Sequence, residues 1–290
     1  MHKKIAELLI DRANDSIPEE MKERIERIPV NAVSDSGYDE FGFNPEHLKV
    51  VANVSDFFYH KWFRTEAYGV ANIPEEGPGL IIANHSGQIP LDGMMIAITC
   101  MLEMDRPRIA RAMVEKWFPT LPHVSILFAR FGQVPGIMEN AEKLLGNGEL
   151  VMIFPEGIRG SGKTWDKRYQ LQRFTPGFME LSIRFDAPII PTAVIGGEEQ
   201  APSFYDVKEL AKLIGFPYFP LTPTFPWLGP LGLMPLPSKY HIVFGEQMDF
   251  SSYEDDLPHP RKVKNHVEKV RETIQEMVNQ GLEYRVLPGF

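Results

Sequence analysis

Short apolar runs alternate along the middle of the chain with segments whose apolar residues recur at helical spacing. The runs have the length of buried strands and lie at residues 80–83, 108–114, 150–154, 188–194 and 241–244. The helical segments lie between them, at residues 94–102, 125–130, 138–145 and 177–184. Strands that alternate with helices in this way indicate an α/β fold with a mostly parallel sheet. We therefore predict a single domain whose central sheet is flanked by helices.

Both ends of the chain are predicted to add helices. Residues 1–46 are polar, with a short helix over 18–27, and we treat them as an N-terminal extension of a main domain over 47–290. Residues 46–63 place valines and large aromatic side chains on one stripe of a helix. That stripe either packs against the domain or rests on a membrane surface. A last helix has its apolar face at Val263, Val267, Val270, Ile274, Met277 and Val278.

Composition limits the classes of protein to which this chain can belong. The 290 residues are 43% hydrophobic and 24% charged, which is typical of a globular domain. Lysine and arginine number 30 against 39 acidic residues, and the net charge of −9 excludes a global basic field for nucleic acid. Cys100 is the only cysteine, which excludes an intramolecular disulfide and a cysteine zinc site and predicts a reducing, cytoplasmic compartment. The eight histidines lack zinc-binding spacing, so we predict no metal.

The first candidate site follows the apolar run at 80–83. His85 comes just past the end of this strand, where open α/β sheets place their ligands. An imidazole can take a proton from a hydroxyl near neutral pH, and a carboxylate on its other nitrogen fixes its tautomer. Gly87 and Pro90 predict a turn that folds Asp92 back toward His85. Alternatively, His85 lies in a surface loop and Asp92 is only a favourable anion in the first turn of a helix.

The second candidate site follows the apolar run at 150–154. Glu156, Gly157 and Arg159 lie in a glycine-rich turn that we expect at the same edge of the sheet. Such a turn can offer backbone N–H groups to an anion, and an arginine can hold a phosphate through two parallel hydrogen bonds. Alternatively, this is a simple turn held by an ion pair between Glu156 and Arg159.

Taken in order, these blocks resemble the glycerolipid O-acyltransferase family, which includes lysophosphatidate and glycerol-phosphate acyltransferases and monoacylglycerol acyltransferase-like relatives. The resemblance rests on Asn-His and Asp at 84–92, Phe-Pro-Glu-Gly-Ile-Arg at 154–159 and Ala-Pro-Ile-Ile-Pro-Thr-Ala-Val at 187–194. Further matches are Lys116, Arg130, residues 174–177 and residues 239–246. Order and spacing agree over about residues 67–250, which makes residues 47–290 the expected acyltransferase domain.

The resemblance implies a reaction and a role for each matched residue. His85 would act as general base on an acceptor hydroxyl, with Asp92 orienting it. Glu156, Gly157 and Arg159 would position a glycerolipid acceptor, and Lys116 and Arg130 would join that binding set. The acyl donor would be acyl-CoA or acyl-carrier protein, used as a co-substrate, with no cofactor. Two features depart from the family pattern. Six residues separate His85 from Asp92 instead of four, and residues 132–136 lack the usual basic residue.

Two other functions stay open at the level of the sequence. Residues 157–164 fit the phosphate-loop pattern G-x-x-x-x-G-K-T after a strand, which would give Lys163 to a nucleotide. Against this, residues 165–170 lack the apolar spacing of a helix packed under such a loop, and Glu156 would repel phosphate. A catalytically silent lipid-binding module is the other alternative.

A proline-rich apolar segment follows the matched blocks. Residues 213–238 contain no charged side chain, but the frequent prolines prevent a regular membrane-spanning helix. The segment either folds over the core or forms a hydrophobic rim that dips into a membrane interface or lines an acyl-chain channel. An amphipathic helix over 205–214 leads into it. With no signal peptide expected, we predict a protein peripheral on the inner, cytoplasmic face of a membrane.

Overall fold

The computed structural model describes residues 17–33, 35, 37–115 and 124–285. Its centre is a seven-stranded sheet. The strands of this sheet are β1 (Glu66–Tyr68), β2 (Gly79–Ala83), β3 (Ala110–Val114), β4 (Val134–Pro135), β5 (Leu150–Ile153), β6 (Ile189–Ile195) and β9 (His241–Phe244). A separate two-stranded sheet pairs β7 (Tyr205–Asp206) with β8 (Pro220–Leu221).

The strands of the large sheet run in the order β1-β9-β6-β2-β5-β3-β4. Neighbouring strands are parallel throughout, except that β9 is antiparallel to β6. This confirms the predicted α/β fold with a mostly parallel sheet. β2 lies between β5 and β6, and Ile82 is in register with Ile153. The segments that leave the ends of β2 and β5 are therefore neighbours at one edge of the sheet.

Helices surround the sheet, most of them where the spacing of apolar residues predicts them; the short helix over residues 158–161 lies where the sequence predicted a glycine-rich turn. They are α1 (Glu19–Glu26), α2 (Glu46–Asp56), α3 (Leu91–Leu102), α4 (Val124–Arg130), α5 (Met138–Gly146), α6 (Ile158–Ser161), α7 (Gly177–Arg184), α8 (Lys208–Ile214) and α9 (Pro260–Tyr284). A π-helical turn, Phe57–Trp62, continues α2, and short 3-10 turns lie at Val70–Asn72, Trp165–Lys167, Gly229–Leu233 and Ser251–Asp256. One difference matters for the site, because α3 begins at Leu91 instead of Met94 and thus contains Asp92.

Two hydrophobic layers sandwich the sheet. On one face, α5, α7 and α9 pack on residues such as Leu80, Ile82 and Ile189. On the other face, α3 and the π-helical turn pack on residues such as Ile81 and Ile190. The predicted apolar face of α9 is buried at five positions: Val263, Val267, Val270, Ile274 and Val278. Full burial of each such side chain stabilises the fold by about 1.5–3 kcal/mol, so this helix is a major part of the core.

The N-terminal segment packs on the same body. Met21 and Ile25 of α1 share a hydrophobic cluster with Leu48 of α2 and Met101 of α3. The N-terminal segment therefore contacts the main domain through this cluster. The domain boundary at residue 46 stays a prediction. None of the helices in the described residues is long and apolar enough to cross a membrane.

Candidate active site

His85 and Asp92 meet at the carboxyl end of β2. The Nδ1 atom of His85 lies 2.7 Å from Oδ2 of Asp92. The same carboxylate accepts the backbone N–H of Ser86 at 2.8 Å and that of Gly93 at 2.8 Å, and it is fully buried. The six-residue gap is bridged because α3 starts at Leu91 and brings Asp92 back under the loop. Asp92 is thus both the first-turn anion of α3 and the partner of the imidazole.

The contact with Asp92 decides which nitrogen of His85 can act on a substrate. Because Nδ1 is hydrogen-bonded to the carboxylate, Nε2 is the ring nitrogen left for a reacting group. One face of the ring stacks on Phe154, with centroids 4.5 Å apart. Burial alone would lower the pKa of His85, but the charge and hydrogen bond of Asp92 and the charge of Glu156 outweigh it. The net result is a raised pKa, as expected of an imidazole that becomes charged beside an anion.

The side chain of Glu156 binds the backbone of His85. Its Oε1 atom accepts the N–H of His85 at 2.9 Å, and its Oε2 atom accepts the N–H of Gln172 at 2.6 Å. The carboxylate is almost fully buried, and its ion pair in the structure is with Lys163. The sequence assigns Glu156 to the acceptor, and that contact stays a prediction. In the structure Glu156 links the end of β5 to the loop that carries His85.

The helix α6 packs directly against this linkage. A Cβ atom built on Gly160 would lie 2.7 Å from Cβ of Glu156 and 2.8 Å from Cβ of His85, so only glycine fits. Gly157 has φ +57°, and a Cβ atom there would approach the Glu115 carboxylate to 2.9 Å. The two glycines thus let the turn after β5 pack closely, with Gly160 against the loop that carries His85.

Arg159 lies on α6 with an exposed side chain. Its guanidinium donates one hydrogen bond, at 3.1 Å, to the backbone carbonyl of Arg173, which is itself exposed. Arg159 directly precedes Gly160, the residue through which α6 packs against His85. An exposed guanidinium in this position can bind a phosphate of the acceptor.

Of the two remaining predicted binding residues, Arg130 is the one with a described position, and its described contacts do not reach this group. Lys116 lies outside the described residues. Arg130 ends α4, where it donates a hydrogen bond to the carbonyl of Gly42 at 3.1 Å, and its guanidinium lies 4.2 Å from the centre of the Tyr38 ring. These contacts place Arg130 against the N-terminal loop. None of the described contacts of Arg130 is with the His85 site, so its role in substrate binding stays a prediction.

The phosphate-loop motif has a different structural role. Lys163 is only 6% exposed, and its Nζ atom lies 3.0 Å from Oε1 of Glu198 and 3.4 Å from Oε2 of Glu156. The short helix α6 occupies the part of the motif that would wrap a phosphate. A lysine buried between two carboxylates is not available to a nucleotide, which argues against nucleotide binding at this motif.

Several residues that support the site were missed in the sequence. Gln200 donates to the carbonyl of Ile89 at 3.0 Å, and the hydroxyl of Tyr218 donates to the carbonyl of Gln88 at 2.7 Å. Both contacts hold the loop between His85 and Asp92 from the segment that follows β6. The one available signal was the glycine pair at 196–197, since a Cβ atom on Gly197 would lie 2.1 Å from the Ser86 hydroxyl.

A cavity of about 1010 Å³ borders the segment that follows β6. Trp165, Phe204, Leu236 and the end of α9 are among its walls. Glu199 lines it, whereas the neighbouring Gln200 contacts the loop that carries His85. Neither His85 nor Asp92 lines the cavity.

Comparisons with known proteins found a matching family model and several similar sequences. The family model described as Acyltransferase matches residues 64–195. An uncharacterized protein of Mycobacterium tuberculosis is 42% identical over 258 residues, which are 88% of this chain and 71% of the relative. An uncharacterized protein of Mycobacterium leprae is 40% identical over 254 residues, covering 87% of this chain and 68% of the relative.

A human protein and a bacterial crystal structure are also similar to the chain. The human DGAT1/2-independent enzyme synthesizing storage lipids is 31% identical over 146 residues, 49% of this chain and 43% of that protein. The crystal structure of the 1-acyl-sn-glycerophosphate (LPA) acyltransferase PlsC from Thermotoga maritima has a TM-score of 0.51 at 18% identity, covering 84% of this chain and 83% of that one, and it shows the same fold. The chain therefore belongs to the glycerolipid acyltransferase family, and it is an enzyme that transfers acyl groups other than amino-acyl groups.

Proposed function

We propose that His85 is the general base of an O-acyltransferase that moves a fatty acyl group from a thioester to a hydroxyl of a glycerolipid acceptor. The observation that carries this proposal is the buried 2.7 Å contact between Nδ1 of His85 and Asp92, which leaves Nε2 for the hydroxyl. The acceptor is lysophosphatidate, glycerol-3-phosphate or a similar molecule. The donor is acyl-CoA or acyl-carrier protein, which is consumed as a substrate.

The reaction needs one base and no covalent enzyme intermediate. Nε2 of His85 takes the hydroxyl proton while the oxygen attacks the thioester carbonyl, forming the new C–O bond. The C–S bond then breaks, and the imidazolium returns the proton to the departing thiolate. Asp92 stabilises the imidazolium between these two steps and fixes the tautomer. The raised pKa of His85 matches this task, since the base must hold the proton briefly.

The position of Arg159 favours an acceptor that carries an anion near the reacting hydroxyl. Its guanidinium is exposed next to α6, and α6 touches His85. A phosphate bound there would gain a charge-assisted hydrogen bond of about 1.5–3 kcal/mol. We therefore place the acceptor phosphate at Arg159, with Arg173 beside it.

A thioester-release assay across a panel of acceptors tests this proposal. The panel contains glycerol-3-phosphate, lysophosphatidate, a lysophospholipid and monoacylglycerol. We expect His85→Ala to abolish release with every acceptor that the wild type uses. His266→Ala is the matched control, because His266 also pairs with a carboxylate, Asp256 at 2.9 Å, but lies on α9. Wild-type turnover in His85→Ala would refute the mechanism.

We also propose that the protein binds a membrane surface through an apolar rim. This rim consists of the exposed side chains Trp227, Leu228, Leu231, Leu233 and Met234. Trp227 is 71% exposed and Leu231 70%, although both are large apolar residues. The indole of Trp62 donates to the carbonyl of Pro235 at 3.1 Å, which joins the rim to the exposed Phe57 of the π-helical turn. Large aromatic and aliphatic groups of this kind favour the membrane interface.

Co-sedimentation with phosphatidylcholine–phosphatidylglycerol vesicles tests the rim. The double variant Trp227→Ser/Leu231→Ser should bind these vesicles at least about 100-fold more weakly, since each of the two lost apolar contacts is worth about 1.5–3 kcal/mol and every 1.4 kcal/mol is a factor of about ten. Val33→Ser removes an equally exposed apolar residue in the N-terminal segment and should bind as the wild type does. Equal binding by all three proteins contradicts the rim. The cytoplasmic face stays a prediction that rests on the single cysteine.

Thioester release, vesicle binding and an ATP-binding titration distinguish the two alternative functions. Vesicle binding without thioester release from any acceptor would favour the silent lipid-binding module. ATP binding that is lost in Lys163→Ala would favour the nucleotide-binding protein, although the two carboxylates at Lys163 argue against it.

A further inference from the structure

A buried lysine lies between two glutamates, next to the loop that carries His85. We call Glu156, Lys163 and Glu198 the carboxylate–lysine cluster. The ammonium of Lys163 is 3.0 Å from Glu198 and 3.4 Å from Glu156, and all three side chains are buried. The mechanism described above uses none of the charge on Lys163, and the phosphate-loop pattern does not account for it.

The cluster is connected to His85 by a short path. Glu156 bonds the backbone N–H of His85 at 2.9 Å with one oxygen, and its other oxygen faces Lys163. Glu198 receives the backbone N–H of Tyr169 at 3.3 Å. The backbone carbonyl of Lys163 accepts a hydrogen bond, at 3.3 Å, from the side-chain amide of Gln88 in the loop that follows His85. Both the side chain and the backbone of Lys163 therefore reach the elements that hold the base.

We propose that Lys163 is a positioning residue for acyl transfer: its ammonium offsets the repulsion between the carboxylates of Glu156 and Glu198, so that Glu156 can hold the backbone of His85. The inference rests on the proposed role of His85 as general base. It assigns the G-x-x-x-x-G-K-T motif to the construction of the acyl-transfer site.

The physical argument is the cost of like charges in a buried site. Two carboxylates without a cation cannot both stay ionised at short range in a low-dielectric environment. Without the charge of Lys163, the pair of carboxylates would move apart, draw in water or share a proton, and each of these changes would weaken the bond between the Glu156 side chain and the backbone N–H of His85. Burial already raises the pKa of Glu198, and the attraction of Lys163 opposes that effect.

The same charge acts on the imidazole. The charged groups that face His85 are Asp92 from α3, and Glu156 and Lys163 from the segment after β5. Asp92 and Glu156 raise the pKa of His85, whereas Lys163 lowers it. Removing the ammonium should therefore raise the pKa of His85 further. A base that must be neutral then becomes active only at higher pH, so the acid limb of kcat/KM moves upward.

Three variants test the proposal in the thioester-release assay. Lys163→Met keeps the side-chain volume and removes the charge. Lys163→Met/Glu198→Gln also removes one carboxylate and restores the net charge of the cluster. Lys167→Met is the control, because it makes the same change at an exposed lysine four residues along the chain.

We expect Lys163→Met to lose about 10-fold or more in kcat/KM at pH 7, with its acid limb at higher pH, since each unit of pKa costs a factor of ten. The double variant should recover most of the rate on the pH plateau, because the two carboxylates no longer repel each other, but its acid limb should stay at higher pH, because the ammonium is still absent. Lys167→Met should match the wild type in both measurements. The proposal is overturned if Lys163→Met matches Lys167→Met, or if the double variant is no better than the single one.

If Lys163→Met does not fold, the double variant decides the matter. A folded and active double variant supports the proposal, and an unfolded or inactive one overturns it. His85→Ala separates this inference from the proposed function. Turnover by His85→Ala overturns the role of the base itself, whereas loss of turnover there with a normal Lys163→Met overturns only the inference.

Discussion

Gly160 is the position where the fit between the turn after β5 and the reacting loop can be tested with one methyl group. In Gly160→Ala, the new Cβ would lie 2.7 Å from Cβ of Glu156 and 2.8 Å from Cβ of His85. Both neighbouring atoms are attached to the backbone, so no rotamer change can move them away. Either α6 or the loop that carries His85 must shift.

The size of the shift follows from these distances. Carbon atoms in contact are about 3.5–4.0 Å apart, so the methyl group needs roughly 0.7–1 Å of movement. Overpacking of this kind costs about 1–3 kcal/mol of stability. A displacement of about 1 Å at a reacting group can cost about 100-fold in rate. We therefore expect kcat to fall about 100-fold in a protein that still folds.

Initial rates of thioester release and urea unfolding measure the two effects separately. Gly146→Ala is the matched control, because its Cβ would meet only Cε1 of Phe185, at an ordinary 3.8 Å. That substitution should leave the rate unchanged and, since alanine favours helix over glycine, leave stability unchanged or slightly higher. A Gly160→Ala protein with wild-type kcat and wild-type stability would refute the claim that α6 must touch His85.

Four further predictions concern charge and burial. Asp92→Asn should lower kcat by about 100-fold or more, measured as thioester release, because an amide cannot stabilise the imidazolium. In the wild type, kcat/KM should rise with pH through a pKa above the ordinary histidine value, since His85 must be neutral and its folded pKa is raised. The free energy of unfolding that the His85–Asp92 pair contributes should have the opposite pH dependence. It is fully present below the pKa of the histidine in the unfolded chain and is lost as the pH rises above the raised pKa of His85 in the folded protein. Urea midpoints of the wild type and His85→Gln, compared across pH, measure this contribution. Burial raises the pKa of Cys100 to about 12, so iodoacetamide at pH 8 should label it only after unfolding.

The sequence predicted the parts of the fold whose burial pattern is strong. The apolar runs of β2 and β5 identified two central strands, and parallel pairing brings the segments that follow them to one edge. For this reason His85 and Glu156 were expected as neighbours. The short strands were not predicted: β1 has three residues and β4 two, too few to show an alternating pattern.

The partners of each site residue were harder to predict than its place. Glu156 and His85 are 71 residues apart, and nothing local to Glu156 shows that its carboxylate will turn inward to accept backbone N–H groups. The same holds for Lys163, whose neighbours along the chain favour a phosphate loop. Its actual partner Glu198 lies beyond β6, and only the folded sheet brings the two together.

The distance between His85 and Asp92 depends on where α3 begins and on what supports the loop. A six-residue loop presents more backbone polar groups than a four-residue one, and each buried group needs a partner. Gln200 and Tyr218 bind the carbonyls of Ile89 and Gln88, and both come from the segment between β6 and β9. At Gly87, a Cβ atom would lie 2.2 Å from the Gln200 side chain, so that segment packs against the loop without a gap. The departure from the family spacing is therefore accommodated by contacts outside the motif, and the segment after β6 helps to build the candidate active site.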